Sequence, residues 1–303
     1  MVAIMKRAPR RATTPSLSFL LLAACFSLGA SLVRQPLLHT RSGRHRQQGT
    51  AAVVSASTAA MPAPSADAYS LATSSASLTE AGAFFVDNFW LPQASPDFAL
   101  SEAQRAGLAA AQLEDFEERY GELMGARRLS SALLLKRDDA GLIAGAVSVE
   151  LTLVNVDTES MISRKDGEAM FKQRIGSLGP KQRRELKDLP VGALTEELFP
   201  EFEVLPVLSN LCVAASARRQ GLGNELCAAA ANVARGWGFF ELWLQVEADN
   251  APARTLYEKK LGFEEEWADK GARALRIDEE DEGGAFKDVV VPTVTASKFL
   301  ARG

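Results

Sequence analysis

The sequence predicts an α/β (α+β) domain behind a basic leader. Three observations predict it. Apolar-alternating segments and amphipathic segments succeed one another over residues 67–303 in the order β α α β β β α β α β β. One strand, over residues 202–213, runs into a glycine-containing turn that opens a helix over residues 222–237. The composition, 47% hydrophobic and 24% charged over 303 residues, suffices for a sizeable core.

Residues 1–66 contain no Asp or Glu but carry Lys6, Arg7, Arg10, Arg11, Arg34, Arg41, Arg44 and Arg46. A basic opening, an apolar run over residues 17–33 and a basic, Ser/Ala/Thr-rich stretch over 34–66 follow one another. This order reads as a signal followed by a transit region, the bipartite address of plastids of secondary origin. A simple plastid or mitochondrial transit peptide, a secretory signal and a retained membrane anchor are the alternatives. The remainder holds 26 basic against 38 acidic residues, a balance of −12. So acidic a body suits a basic substrate better than a phosphate backbone, and nucleic acid is not expected as a partner. Nor is a membrane expected as a partner of the mature body.

Within the body, residues 69–73 offer a short first strand. A helix over residues 78–90 is expected to be capped by Thr79 and stopped by Pro92. A second helix from Ser101 to Leu123 places Leu113, Phe116, Tyr120 and Leu123 on one face. Glu114, Asp115, Glu117 and Glu118 lie around it and read as a solvated surface. Residues 131–136 and 142–156 form a hairpin about the turn 137–141. Residues 157–200 read as an insertion with one or two short surface helices. The next strand is expected to break at Pro206. In the helix over 222–237, Leu226, Ala230, Val233 and Trp237 share a face. Strand 239–247, a short helix capped by Asn250, and strands near 272–277 and 289–295 complete the order.

Both histidines, His39 and His45, fall in the leader, which excludes His-based triads, Cys–His dyads and ordinary zinc fingers from the body. No metal site is expected. Cys212 and Cys227 read as buried small hydrophobes. The chemistry concentrates in Arg218, Arg219, Gln220, Gly221, Leu222 and Gly223. Glycines let a backbone approach closely, and free N–H groups at a helix N-terminus attract an anion. The turn lacks the Gly-Lys-Ser/Thr of a P-loop and the three spaced glycines of a dinucleotide fingerprint.

The order Arg218-x-x-Gly221-x-Gly223, helix, strand, Asn250-x-x-Ala253-x-x-x-Tyr257, Leu261-Gly262-Phe263 resembles the GNAT (GCN5-related) N-acetyltransferase superfamily. The strong likeness covers residues 208–263. The leader and the segment 84–90 further resemble plastid members. The resemblance implies a mixed central sheet flanked by helices and splayed between its fourth and fifth strands, with acetyl-CoA as co-substrate in the gap. Leu211, Cys212 and Val213 would pair with pantetheine, and Arg218 to Gly223 would hold the pyrophosphate, with Asn224 adding a polar contact. Asn250 would touch the cofactor or cap its helix, and Tyr257 would stand near the thioester sulfur as proton donor. Bacterial ribosomal-protein members carry Glu five residues before the motif Asn. Gln245 stands there here, which leaves Glu247, acting through water, as the candidate base. The expected activity is acetyl transfer to protein N-terminal α-amines, and to lysine ε-amines as plastid relatives accept both. A small-amine or polyamine acetyltransferase and a non-catalytic acetyl-CoA-binding module are the alternatives.

Overall fold

The computed structural model describes residues 69–121 and 128–300. The leader over residues 1–66, and Leu123 of the second helix, lie outside the described residues. The elements are β1 (Ser70–Leu71), α1 (Ser75–Phe85), α2 (Glu102–Tyr120), β2 (Ser131–Arg137), β3 (Ile143–Asn155), β4 (Ser160–Ile162), α3 (Arg164–Ser177), α4 (Pro180–Leu186), α5 (Val191–Leu198), β5 (Glu203–Val213), α6 (Leu222–Gly236), β6 (Glu241–Glu247), α7 (Ala251–Arg254), β7 (Glu264–Asp278) and β8 (Ala285–Phe299). One mixed sheet runs β1-β2-β3-β5-β6-β8-β7, with β4 on the far end of β3.

Only the β5–β6 pair among these is parallel, and it closes at just two positions, Val207 opposite Trp243 and Leu208 opposite Leu244. Beyond Leu208, β5 has no strand partner on that side. The sheet therefore parts between β5 and β6, the fourth and fifth strands once the short β4 is set aside. Both faces of the sheet are covered. Val147, Val149, Leu208, Leu242 and Leu244 pack under α6 (Leu226, Ala230, Val233). Leu133, Leu135, Ala146 and Cys212 pack under α1 and α2 (Leu78, Phe85, Leu108, Phe116).

Several elements depart from the sequence expectation. Ser74, not Thr79, caps α1: its Oγ accepts the Ser77 N–H at 3.3 Å, while Thr79 donates back to Ser75 O. The helix widens into a π turn over Val86–Trp90 and passes Pro92 in a tight 3₁₀ turn, whose first residues need no N–H donor. Ser101 does cap α2, in a reciprocal capping box with Gln104. The acidic surface of α2 is not wholly solvated: Asp115 is largely buried, and burial raises its pKa against the pull of Arg119.

Proline 206 does not break β5. Leu151 opposite it donates its N–H to Ser130 O at 2.8 Å, away from β5. The 151–206 pair is thus a non-hydrogen-bonded one, and the missing proline N–H costs the β3–β5 ladder nothing. Residues 157–200 hold β4 and three helices, and they are not merely superficial. Phe171, Leu194, Leu198 and Phe199 bury against Leu151 and Leu153 of β3. The last two strands run 15 residues each, much longer than the apolar cores that predicted them. Their hairpin tip reaches α2, where Gln104 Nε2 donates to Asp281 O at 2.9 Å.

Candidate functional site

The mouth of the β5–β6 gap is built by the turn that leaves β5. Gly221 takes φ 91° as the N-cap of α6, and Arg219 takes φ 63° two residues earlier. These left-handed residues turn the chain sharply enough for α6 to start at Leu222. Asn224 and Glu225 donate their N–H groups to Gly221 O at 2.9 and 3.2 Å, while the amides of Leu222 and Gly223 have no acceptor within the helix. A cradle of outward N–H groups at a positive helix end results. The helix can dock this closely because β3 carries Gly145 beneath it; a Cβ there would lie 2.8 Å from Leu226 Cδ1.

The predicted cradle residues fall into distinct positions. Arg219 and Gln220 are exposed on the turn, and Gln220 Nε2 donates to Ser216 O at 2.8 Å. Asn224 is exposed in the first turn of α6. Arg218 does not hang free over the turn. Its Nε donates to Val213 O at 3.1 Å and its guanidinium reaches Asn88 O at 2.9 Å. Asn88 in turn accepts the Ala215 N–H on its Oδ1 at 3.3 Å. Arg218 and Asn88 thereby strap the turn to the segment after α1. The Val213 carbonyl is taken up in this strap, which leaves Leu211 as the freer edge of β5. Cys212 points the other way, into the α1–α2 core, and Leu211 and Val213 face α6. Burial pushes the thiols of Cys212 and Cys227 up to about 12.

Asn250 caps α7 by accepting the Ala253 N–H at 3.2 Å. The helix then widens into a π turn, Thr255–Lys260, which carries Tyr257. Tyr257 is buried against Phe263, ring centroids 5.8 Å apart, and near Cys227 of α6. Burial raises its phenol pKa, so the hydroxyl stays protonated, and among the described residues no hydrogen bond engages it.

On β6, Gln245 donates Nε2 to Thr293 Oγ1 at 3.0 Å, and Glu247 Oε2 accepts from Arg276 at 2.6 Å. Glu247 is thus an ion-paired carboxylate with one oxygen engaged.

The sequence reading missed a buried polar cluster behind β5. The register slips between Ala146 and Ser148 of β3, where β5 inserts one extra residue. Asn210 occupies that bulge with φ 52°. Its Nδ2 donates to Tyr120 OH at 3.0 Å and to Ser148 Oγ at 3.1 Å. Tyr120 OH donates to Glu150 Oε1 at 2.5 Å. Glu150 also pairs with Arg119, and with Arg164 at 3.7 Å. Burial opposes ionisation of Glu150, yet Arg119, Tyr120 and Arg164 together hold its carboxyl below the ordinary range. The available signal was the Ser209-Asn210 pair amid the apolar residues of the strand, Asn being a residue type that tolerates the left-handed region.

A sheet parted beside a bulged strand, with a glycine turn offering helix amides at the mouth of the gap, leaves an open strand edge next to a positive helix end, chemistry that suits an extended anionic ligand. Residues 184–263 match the sequence profile described as "Acetyltransferase (GNAT) family". GCN5-related N-acetyltransferase 7, chloroplastic, of Arabidopsis thaliana is 37% identical over 100 residues, which cover 33% of this chain and 36% of that relative. The matched stretch thus spans about a third of the relative's length. Among solved structures, the chain resembles Naa20 of Chaetomium thermophilum in complex with a bisubstrate analogue, at 13% identity and TM-score 0.41, covering 77% of this chain and 86% of that one. It also resembles a ribosomal-protein-alanine N-acetyltransferase from Brucella melitensis, at 17% identity and TM-score 0.39, covering 77% and 99%.

Proposed function

We propose that the protein transfers the acetyl group of acetyl-CoA to protein N-terminal α-amines, with lysine ε-amines as a slower second class. The family match over residues 184–263 implies acetyl-CoA as co-substrate, and the residues present fit it. The observation that carries the reading is the gap itself, where the edge of β5 beyond Leu208 is unpaired beside a helix N-terminus with free amides. In this reading Leu211 pairs with the pantetheine arm as an added strand would. Cys212 contributes backbone only, and Val213 closes the end of the strand through Arg218. Amides of Gly221, Leu222 and Gly223, with Arg219, Gln220 and Asn224 around them, hold the pyrophosphate.

The neutral amine nitrogen attacks the thioester carbonyl, the C–S bond breaks to release the CoA thiolate, the acetyl group stays on nitrogen, and the proton that nitrogen sheds passes through water, by way of the free oxygen of Glu247, to the thiolate. Tyr257 donates a hydrogen bond to the departing sulfur. Its raised pKa makes it a donor that stays protonated rather than a strong acid. The acceptor preference follows from the base. Gln245 cannot accept a proton at neutral pH, and Glu247 has one oxygen held by Arg276. An α-amine of pKa about 8 is half neutral at pH 8, while a lysine near 10.4 costs about 3 kcal/mol to deprotonate there. A site with a weak base favours the α-amine. The family match to a chloroplastic relative and the acid-free leader support a plastid location.

The test mixes the protein with acetyl-CoA and two peptide sets, one with free N-termini and one with blocked N-termini and internal lysines, and reads products by mass. Acetylated α-amines in excess over lysine products are expected. Acetyl-CoA binding without acetylation of either set refutes the assignment of protein amines as acceptors.

A further inference from the structure

The polar cluster behind β5 has no evident stability role. A buried carboxylate held by arginines is on balance no better for stability than apolar packing of the same volume. Yet Ser148, Glu150 and Thr152 of β3 are buried, at 0%, 5% and 2% exposure. The cluster converges on one place. Asn210 is the only bulge residue of β5 with a positive φ, and its amide is tied to Tyr120 OH and Ser148 Oγ. Ser148 is in turn bonded to Ser209 Oγ at 2.8 Å, and Ser209 donates to Glu150 Oε1 at 3.4 Å. Tyr120 stands on Glu150, and Glu150 is fixed by Arg119 from α2 and Arg164 from α3. Three elements thus brace one strand residue from behind. In front of it, β5 has lost its pairing to β6, and the bulge leaves Asn210 and Leu211 out of the β3 register as well, between the pairs Ser209–Ser148 and Cys212–Ala146.

We propose that Tyr120 and Glu150 are positioning residues for acyl transfer: they clamp Asn210 in its left-handed bulge and so fix the backbone N–H groups of β5 that meet the thioester carbonyl. This rests on the function proposed above. A hydrogen-bond donor serves a developing oxyanion only if it is already aimed, and an unpaired strand edge is otherwise free to drift. The chain of contacts supplies that aim from buried residues, Tyr120, Ser148 and Glu150, on the α2 side of the sheet. Neither Tyr120 nor Glu150 touches the reacting atoms.

The test uses the full chain and three variants: Tyr120→Phe, which removes the hydroxyl between Glu150 and Asn210; Ser148→Ala, which removes the other tether; and Asn210→Gly. The last keeps the left-handed conformation accessible and leaves Glu150 paired, so it folds even if the buried substitutions do not. Turnover with acetyl-CoA and a free-N-terminus peptide is measured alongside amide exchange of residues 209–213. Tyr120→Phe and Asn210→Gly are each expected to lower kcat about tenfold to a hundredfold, with KM for acetyl-CoA within about twofold, while exchange at 209–213 accelerates. Unchanged kcat in both, or kcat, KM and Tm falling together in Asn210→Gly, overturns the proposal. If the unmodified chain acetylates no amine, the function reading fails, and exchange alone decides the clamp: unchanged exchange at 209–213 in the variants overturns it.

Discussion

Replacing Gly221 by Ala separates backbone conformation from packing at the cradle. No atom lies within 4 Å of a Cβ added at Gly221, so the substitution meets no clash. Its cost is conformational. Gly221 sits at φ 91°, and an L residue there is disfavoured by about 1–2 kcal/mol. Gly192 provides the control. A Cβ added there also finds nothing within 4 Å, but Gly192 lies inside α5 with no positive φ. Ala at such a site stabilises by about 0.4–1 kcal/mol through the unfolded state. For a domain of this size each kcal/mol moves Tm by about 2–4 °C. Thermal unfolding without ligand should therefore show G221A lower by about 2–8 °C and G192A higher by about 1–4 °C. Calorimetric titration with acetyl-CoA should show G221A weaker by about tenfold, since relieving the strain at φ below zero withdraws the turn amides, worth about 1.4 kcal/mol. G192A should bind as the parent does. The same sign of Tm shift in both variants, or an unchanged affinity in G221A, refutes the argument.

Three further outcomes are expected. Tyr257→Phe should keep acetyl-CoA binding and fold stability, because the hydroxyl has no hydrogen-bond partner among the described residues, while kcat falls by about 10²–10⁴, the usual span for a positioned acid-base group; steady-state kinetics with a binding titration checks it. Arg218→Ala should weaken acetyl-CoA binding and lower Tm by a few degrees, about 1 kcal/mol, because it cuts the strap between Val213 and Asn88. Arg218→Lys should restore little, since an ammonium cannot span both carbonyls. The thiols of Cys212 and Cys227 should resist alkylation in the native state at pH 8. Their pKa values, raised by burial to about 12, lie above the unfolded value of about 8.5, so their share of stability is complete below pH 8.5 and is lost as pH rises towards 12. Urea unfolding at several alkaline pH values against a Cys212→Ala, Cys227→Ala double variant should reveal the difference.

Much of the site was legible because its residues are local. The order from Arg218 to Phe263 lies in one run, and the glycine turn, the Asn250 cap and the buried Tyr257 all have short-range signatures. The positive φ of Gly221 is what its residue type permits. The clamp was not legible, because Tyr120, Glu150 and Asn210 come from α2, β3 and β5 and meet only in the fold. Alternation in β3 reads Ser148, Glu150 and Thr152 as an outward polar face, but α1 and α2 cover that face. Alternation locates the face of a strand and says nothing of what is packed against it. The strap is hidden for the same reason: Asn88 and Arg218 are 130 residues apart. Pro206 misled because the ladder partner of a proline, not its presence, decides whether a strand continues. The long hairpin β7–β8 was underestimated because its charged ends are held by pairing rather than by apolar content.

The central claim is that acetyl-CoA lies in the gap between β5 and β6 with its pyrophosphate on the turn before α6. Amide hydrogen exchange with and without acetyl-CoA tests it most directly. Protection confined to residues 209–213 and 219–224, with the remainder of the chain little changed, is the predicted result. Tight binding that leaves both segments unprotected, or that protects another part of the molecule instead, would contradict it.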